Sequence, residues 1–239
     1  EFYRAENGHA IGYFWGYKTA GLFQNQKEIN DWIAAGNGIY QADVKPGDVK
    51  YVDVNHDGVI NASDKVDLGN GLPKYTFGFN FSLAWKGFDL SANFTGAAGF
   101  QIAQSYRDPS SSQANYSRRI LKRWTGEGTS NEIPRVTYGD VGNWLFSDLY
   151  LQDGDYIRLQ NLTMGYDFKK LISWKGLSKM RLYFQVQNLF TLTKYDGMDP
   201  EIGSFNGTDG NSSDSWVSGV DMGYYPHPRT FIVGLNLAF

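Results

Sequence analysis

Tyr75-Thr76-Phe77-Gly78-Phe79-Asn80-Phe81-Ser82-Leu83-Ala84-Trp85 decides the fold. Its odd positions are large and apolar and its even positions are Thr, Gly, Asn, Ser and Ala. A period of two gives two distinct faces only to an extended strand. Lys86-Gly87 makes a tight turn, and the chain returns as Phe88, Leu90, Ala92 and Phe94 against Asp89, Ser91, Asn93 and Thr95, so the two runs form a hairpin. A third run, Tyr156 to Phe168, ends with Leu162, Met164, Tyr166 and Phe168 on its apolar face. Arg158, Gln160 and Asn161 imply a phase slip near Asn161. A fourth sets Met180, Leu182, Phe184 and Val186 opposite Arg181, Tyr183, Gln185 and Gln187. The last, Thr230 to Phe239, sets Phe231, Val233, Leu235, Leu237 and Phe239 opposite Ile232, Gly234, Asn236 and Ala238.

These runs exceed the roughly 5 to 6 residues of an ordinary soluble strand. They suit the roughly 9 to 11 residues with which a tilted strand crosses a bilayer. Their polar faces of Gly, Asn, Ser, Thr and Gln fit a wet or plugged barrel interior rather than a second packed core. Composition agrees: 16 Tyr, 16 Phe, 7 Trp and 28 Gly among 239 residues favour β-structure over helix bundles. With no Cys, disulfides, thiolate metal sites and thiol catalysis are excluded. A net charge of −3 gives no global basic field, so nucleic acid is not an expected partner. No apolar run is long enough for a transmembrane helix and no signal peptide is visible. A mean hydropathy of −0.43 is nonetheless what an alternating barrel shows. The chain begins at Glu1 without Met, and is expected to be processed or a piece of something longer.

Connection lengths alternate sharply. Lys86-Gly87 and Lys169 to Ser178 are short, whereas 98–153 and 193–228 are long and rich in Gly, Ser, Asn and Asp. Outer-membrane barrels pair short periplasmic turns with long extracellular loops. Tracing back from a periplasmic C-terminus, the parity holds at every connection and places residues 1–72 outside. That region has room for one or two strands around Ile11 to Phe23 and a short helix near Gln26 to Ala35. Five to seven strands cannot close a barrel of the usual eight or more. The expected fold is therefore all-β: the C-terminal strands of a large antiparallel transmembrane β-barrel, occupying 73–239, with long extracellular loops. The alternative is a soluble or surface-attached β-sandwich that turns its aromatic faces inward and binds carbohydrate.

One stretch has the spacing of a cation site. Asp53, Asn55, Asp57, the Val59 carbonyl, Asn61 and Asp64 stand at positions 1, 3, 5, 7, 9 and 12 of a twelve-residue loop with Gly58 at position 6. Alternating oxygen donors wrap a hard cation, Ca2+ or Mg2+, in a structural role. Asp64 stands where an EF-hand has Glu, which shortens the last carboxylate and resembles the variant in dockerins. The competing reading is a loop whose Asp and Asn side chains bond their own backbone.

Several motifs in fixed order then carry a resemblance. Pro46-Gly47-Asp48-Val49-Lys50-Tyr51-Val52-Asp53 leads into that loop, followed by Gly69-Asn70-Gly71-Leu72-Pro73-Lys74-Tyr75 and Trp85-Lys86-Gly87-Phe88-Asp89-Leu90. Arg123-Trp124-Thr125 precedes Ile133-Pro134-Arg135, then comes Tyr156-Ile157-Arg158-Leu159-Gln160-Asn161-Leu162. Gln187-Asn188-Leu189-Phe190-Thr191, Gly197-Met198-Asp199-Pro200-Glu201 and Tyr225-Pro226-His227-Pro228-Arg229-Thr230 complete the series. From about Ile11 onward the chain resembles the C-terminal region of SusC/RagA-family TonB-dependent outer-membrane transporters. The resemblance implies a large plugged barrel in the bacterial outer membrane, set in its lipid and partnered by a SusD-like surface lipoprotein. It also implies import of glycans or oligopeptides, energised by the TonB complex through an N-terminal part outside this chain. Phe239 matches the family's terminal aromatic and resembles the signal read by the barrel-assembly machinery; an outward aromatic at the membrane interface is the simpler reading, and the two are compatible.

Ligand contacts are expected from loop aromatics. Trp124, Trp144, Tyr150, Trp216, Tyr224 and Tyr225, with Tyr106 and Phe146, sit in or beside long loops, where aromatic faces stack on sugars or pack within the loops themselves. Arg118, Arg119, Lys122 and Arg123 form a basic cluster on an expected short helix, read chiefly as a solvated face. The only histidines are His9, His56 and His227, and neither a nucleophile elbow nor a phosphate-binding glycine loop occurs. Asp148, Asp153 and Asp155 are read as loop charge rather than a hydrolytic pair. No enzymatic role is expected.

Overall fold

The computed structural model describes residues 3–105, 117–137, 142–172, 174–202 and 218–239. Along the chain run strands β1 (Tyr3–Arg4), β2 (Tyr13–Tyr17) and β3 (Thr19–Leu22), helix α1 (Gln26–Ala34), and strands β4 (Val49–Tyr51) and β5 (Lys65–Asn70). There follow β6 (Tyr75–Trp85), β7 (Phe88–Ala98), β8 (Gln101–Gln104), β9 (Leu151–Asp153), β10 (Tyr156–Asp167), β11 (Lys179–Thr193), β12 (Val220–Asp221) and β13 (Thr230–Ala238). They fall into two compact units. One comprises Glu1–Leu72, Gln101–Gln152 and Ile202–Gly223; the other comprises Pro73–Phe100, Asp153–Glu201 and Tyr224–Phe239.

The second unit is one antiparallel sheet in the order β13-β11-β10-β7-β6. Its register aligns the apolar faces read from the sequence: Phe79 opposes Phe94, Leu83 opposes Leu90, Met164 lies between Leu90 and Phe184, and Phe184 opposes Val233. The phase slip is real, because both ladders of β10 shift register between Leu159 and Asn161. Against β7 the extra residue is Gln160, whereas on the β11 side Asn188 and Leu189 together face it. By adding one position Gln160 keeps Leu159 and Ile157 on the apolar face and turns Arg158 to the polar one. β11 runs further than the alternation predicts, to Thr193. The run is interrupted at Asn188, whose left-handed φ of 52° marks an irregular step opposite Gln160, so simple period-two counting stops there.

Two glycines are placed by ring packing. A Cβ on Gly96 would lie 2.4 Å from the Phe77 ring, and one on Gly234 would lie 2.2 Å from the Tyr183 ring. Each aromatic therefore covers the bare backbone of its cross-strand partner, Phe77 on the apolar face and Tyr183 on the polar face. The apolar face itself is open: Tyr75 is 70%, Phe79 59%, Trp85 63% and Val233 72% exposed. A sandwich would have buried this face. Among the described residues no helix is long and apolar enough to cross a membrane, which says nothing of strands.

The first unit is built around conventional cores. Tyr17, Leu22, Val49, Tyr51 and Ile60 form one cluster, with Trp124, Leu145 and Leu149 against it; Phe14, Ala103 and Val220 form another, with Leu68, Phe146 and Leu151 against it. Loop residues of 101–152 thus pack with 3–72, and parts of the long connections become strands: β8 and β9 join β12, with β12 parallel to β8. Helix α1 starts at Asn25, whose side chain accepts the Glu28 N–H at 2.9 Å, while Glu28 Oε2 accepts from Gln24 N at 2.6 Å. The other Glu28 oxygen meets Lys50, whose ammonium sits 5.4 and 5.5 Å from the centres of the Phe23 and Trp32 rings. Burial opposes ionisation of Glu28, but the Gln24 N–H and Lys50 together hold its carboxyl below the usual range.

Candidate functional site

The loop 53–64 folds tightly around its own acidic residues. Asp53 Oδ2 accepts the Gly58 N–H at 2.7 Å and Oδ1 the Asp57 N–H at 3.2 Å; Asn55 Oδ1 also takes the Asp57 N–H, at 3.0 Å, and Asp57 Oδ1 takes the Val59 N–H at 2.9 Å. His56 and Gly58 adopt left-handed φ of 58° and 81°, which lets the loop reverse over Asp53. Asn61 caps a short 3-10 turn, and Asp64 closes the loop by accepting Val54 N at 2.9 Å and Asn61 N at 2.8 Å. Asp53 and Asp64 are buried, and no cationic side chain pairs with either among the described residues. Burial raises the Asp53 carboxyl, yet the donors from Gly58, His56 and Asp57 prevail and hold it below the usual range. The donor set fits a hard cation in kind: three carboxylates, two amide oxygens and the Val59 carbonyl. Here the carboxylate oxygens are oriented by backbone N–H groups rather than gathered on one point.

The expected aromatic contacts divide. Trp124 packs on the core and over Gly47, where a Cβ would lie 2.4 Å from its ring, and its buried Nε1 finds no hydrogen-bond partner among the described residues. Trp144 and Tyr150 stack at 6.4 Å with 16° between their planes, and the Tyr150 hydroxyl donates to the Asn143 carbonyl at 2.5 Å. Burial pushes the Tyr150 phenol up, which keeps it a donor. Tyr225 is almost fully exposed and Tyr224 partly so. Trp216 and Tyr106 lie outside the described residues. The basic cluster is a 3-10 turn over Arg118–Lys122. Asp148 accepts both the N–H and the hydroxyl of Thr19, Asp153 accepts Asp155 N, and Asp155 accepts Gly99 N, so all three carboxylates fasten turns.

A cluster that sequence reasoning missed is centred on Arg158, which the bulge at Gln160 turns to the polar face. Its Nε donates to Thr191 Oγ1 at 2.9 Å, Nη2 to Asp199 Oδ1 at 2.5 Å and Nη1 to Glu201 Oε2 at 2.6 Å. His227 donates its backbone N–H to Asp199 Oδ2 at 3.1 Å, and its Nδ1 lies 2.9 Å from that oxygen and 3.1 Å from Arg158 Nη1. Nδ1 donates to the carboxylate when it carries the proton and accepts from the guanidinium when it does not. Arg158 and Asp199 are buried and Glu201 and His227 half-exposed; Arg158, Asp199 and His227 line an open cavity of about 230 Å³. Burial raises the Asp199 carboxyl, but the Glu201 N–H, the His227 contacts and Arg158 outweigh it and hold it below the usual range. Asp199, Glu201 and His227 bring three ligand atoms within 4.8 Å of one another, the one such group among the described residues. Arg158 already supplies positive charge there, so a cation would have to displace a guanidinium. The cluster works as a clamp joining β10, β11 and the segments that flank 203–223. Its parts were visible only as separate motifs at 158, 199–201 and 226–229, and nothing in their spacing shows that they meet.

Lower on the same face, Arg181 grips Asp89 with two nitrogens, Nε at 2.8 Å. The pair crosses β10 above Gly165, where a Cβ would lie 2.6 Å from both side chains. Gln185 donates to Asn161 at 3.2 Å. The sheet thus presents hydrogen-bonding and paired ionic groups on one side and an unbroken apolar band on the other, the arrangement of a barrel wall with lipid outside and a polar interior.

Known proteins resemble this chain in sequence and fold. No protein-family model matches the chain. TonB-dependent receptor P3 of Formosa agariphila is 34% identical over 234 residues, covering 97% of this chain and 22% of the receptor. TonB-dependent receptor SusC of Bacteroides thetaiotaomicron is 29% identical over 205 residues, 84% of this chain and 18% of that protein. In fold, the chain is similar to the RagAB peptide importer in its open-open state, with a TM-score of 0.65, 19% identity, and coverage of 99% of this chain and 24% of the other. The chain therefore spans about a quarter or less of the proteins it matches. All of these are receptors or transporters, in keeping with a non-enzymatic chain. Likeness to TonB-dependent receptors along nearly its whole length, joined to the shared fold, makes this chain a segment of a SusC/RagA-family TonB-dependent transporter of the outer membrane.

Proposed function

We propose that the parent protein imports glycans or oligopeptides across the outer membrane with a SusD-like lipoprotein, energised through TonB. In that protein this chain supplies one stretch of barrel wall and a second unit built from loop segments. The two-faced sheet is the observation that carries this reading: a face of Phe, Leu, Val and Trp open to the outside, and a face of Asn, Gln, Thr and paired Arg181–Asp89 turned inward. Among the described residues both sheet edges, β6 and β13, have one unpaired side, which suits strands that continue into a larger barrel. The long connections are extracellular and the short turns periplasmic in this reading. The partner and the substrate class are supported by relatives called SusC and a RagAB peptide importer. Loop 53–64 is a structural Ca2+ site that stiffens the extracellular unit, supported by the buried carboxylates of Asp53 and Asp64, with which no Lys or Arg forms an ion pair among the described residues.

The test begins with the native polypeptide. Extraction in detergent should yield a membrane-bound band much heavier than 26.9 kDa. It should shift on heating and bring a lipoprotein with it, and uptake of its substrate should stop when TonB is removed. A soluble native species of about the mass of this chain alone would overturn the barrel reading.

A further inference from the structure

One end of the five-stranded sheet differs chemically from the rest. Register brings together the β6–β7 turn at Lys86-Gly87 and the β10–β11 turn after Phe168, because Trp85 opposes Phe88, Phe88 opposes Tyr166, Tyr166 opposes Leu182, and Lys179 opposes Ala238. Among the described side chains four lysines stand at this end: Lys86, Lys175 and Lys179, all exposed, and Lys169, whose Nζ donates to the Trp174 carbonyl at 2.7 Å. None forms an ion pair among the described residues. The nearby carboxylates are already engaged, Asp89 by the Arg181 fork and Asp167 by the N–H groups of Lys169 and Met180, although Lys179 also lies in the field of Asp89.

Apolar groups interleave with these charges. Leu171 is 68%, Trp174 59% and Phe239 79% exposed, in a turn that would be polar if it simply faced water. Trp174 meets Phe239 edge-on at 6.2 Å, and Phe239 shares the parity of Val233 and Leu235 on the apolar face. Phe88, Tyr166 and Phe168 continue the aromatic belt at 4.4 and 5.0 Å. Lys86 holds a left-handed φ of 49° before Gly87 at 97°. Such a mirror-image turn favours Asn at its first position, so turn geometry alone does not select this lysine. Its ammonium lies 4.9 Å from the centre of the Trp85 ring, at the border of the apolar band.

We propose that this end of the sheet is a collar for anionic glycerophospholipids: the lysines hold headgroup phosphates while Trp85, Phe88, Leu171 and Trp174 lie against the acyl chains. Charge complementarity selects an anionic lipid over a zwitterionic one. With the long loops outside, this end lies in the inner leaflet, where the lipids are glycerophospholipids rather than lipopolysaccharide. The proposal rests on the reading that the apolar face meets lipid, and its test separates the two.

Native mass spectrometry of the full-length transporter, supplied with phosphatidylglycerol, phosphatidylethanolamine of matched chains, or lipid A, reads the preference directly. Phosphatidylglycerol should be retained over both others. Each of K86Q, K175Q and K179Q should cut that retention about fivefold, and the corresponding arginine variants should keep it. Equal retention of the two glycerophospholipids, a preference for lipid A, or indifference to the glutamine variants would overturn the collar. Should a variant fail to show the heat-shifted folded band, the wild-type preference between the two glycerophospholipids still decides. Separately, Val233→Cys should react with a membrane-soluble maleimide and not with an impermeant one. Reaction with the impermeant reagent would overturn the lipid-facing reading itself, whereas a lipid-facing Val233 without phosphatidylglycerol preference would remove only the collar.

Discussion

Phe14 and Phe79 have the same side chain and both lie in strands, yet Phe14 is fully buried and Phe79 is 59% exposed. Strand β2 reads Tyr-Phe-Trp-Gly-Tyr with no alternation, pairs on both sides with β1 and β5, and is covered on both faces. Strand β6 alternates strictly, pairs with β7 alone among the described strands, and leaves every residue open. The first unit closes around its own apolar groups; the sheet points them away. Alternation therefore reports which solvent each face was built for. A continuous apolar strand needs protein on both sides, and a two-faced one with its apolar side outward needs lipid.

The largest effect is expected where the sheet departs from this rule and buries charge. Arg158→Ala strands Asp199 without its guanidinium and should cost about 3 to 5 kcal/mol, read as a lower unfolding midpoint of the refolded full-length barrel. The clamp should also be acid-sensitive. Asp199 has its carboxyl depressed in the folded state, so its contribution is present above the unfolded pKa of about 3.9 and is lost as pH falls through the lower folded value. Stability should hold from neutral pH to about 4 and then drop, and Arg158→Ala should flatten that drop. A variant as stable as wild type would show that the buried charges are solvated by another part of the parent protein.

The next test sets one face against the other. Val233→Arg puts a cation on the apolar band and should cost about 2 to 4 kcal/mol in lipid. Asn236→Arg, three residues along on the polar face, should cost little. Equal penalties would mean that the apolar face packs on protein, and the contrast with the first unit would disappear.

How much of this was legible depends on range. The hairpin at Lys86-Gly87, the five two-faced strands and the slip near Asn161 follow from neighbours two residues apart, so the sequence displays them directly. The loop from Asp53 to Asp64 was legible because its donors and its backbone contacts lie within twelve positions. The Arg158 clamp was not, since its members come from 158, 191, 199, 201 and 227 and meet only once the register of β10 on β11 is set. The packing of Trp124 and Leu145 onto Val49 and Tyr51 was hidden for the same reason: nothing local in a Gly- and Ser-rich connection says which core it returns to.

Metal removal probes the first unit alone. If loop 53–64 holds Ca2+, free ion at a hundredfold excess over its Kd should add about 2.7 kcal/mol. A chelator should then speed proteolysis within the unit, added Ca2+ should reverse this, and Asp64→Ala should abolish the response. The heat-shifted band of the barrel should not change with chelation. Proteolysis indifferent to both chelator and Ca2+ would leave the Asp and Asn side chains as backbone caps only.

The finest comparison lies within the sheet, between two glycines on its polar face. Gly234 lies beneath the Tyr183 ring, where a Cβ would sit 2.2 Å from the ring, so Gly234→Ala must push the tyrosine aside at a cost of about 1 to 3 kcal/mol. At Gly78 the nearest atom to a Cβ is the Phe94 carbonyl oxygen at 3.7 Å, an ordinary contact. Gly78→Ala should therefore be neutral or stabilise by about 0.4 to 1 kcal/mol, through the lower entropy of the unfolded chain. Unfolding midpoints of the full-length protein check both. A loss at Gly78 as large as that at Gly234 would mean that the polar side of β6 is covered in the parent protein, because among the described residues nothing stands where that methyl group would go.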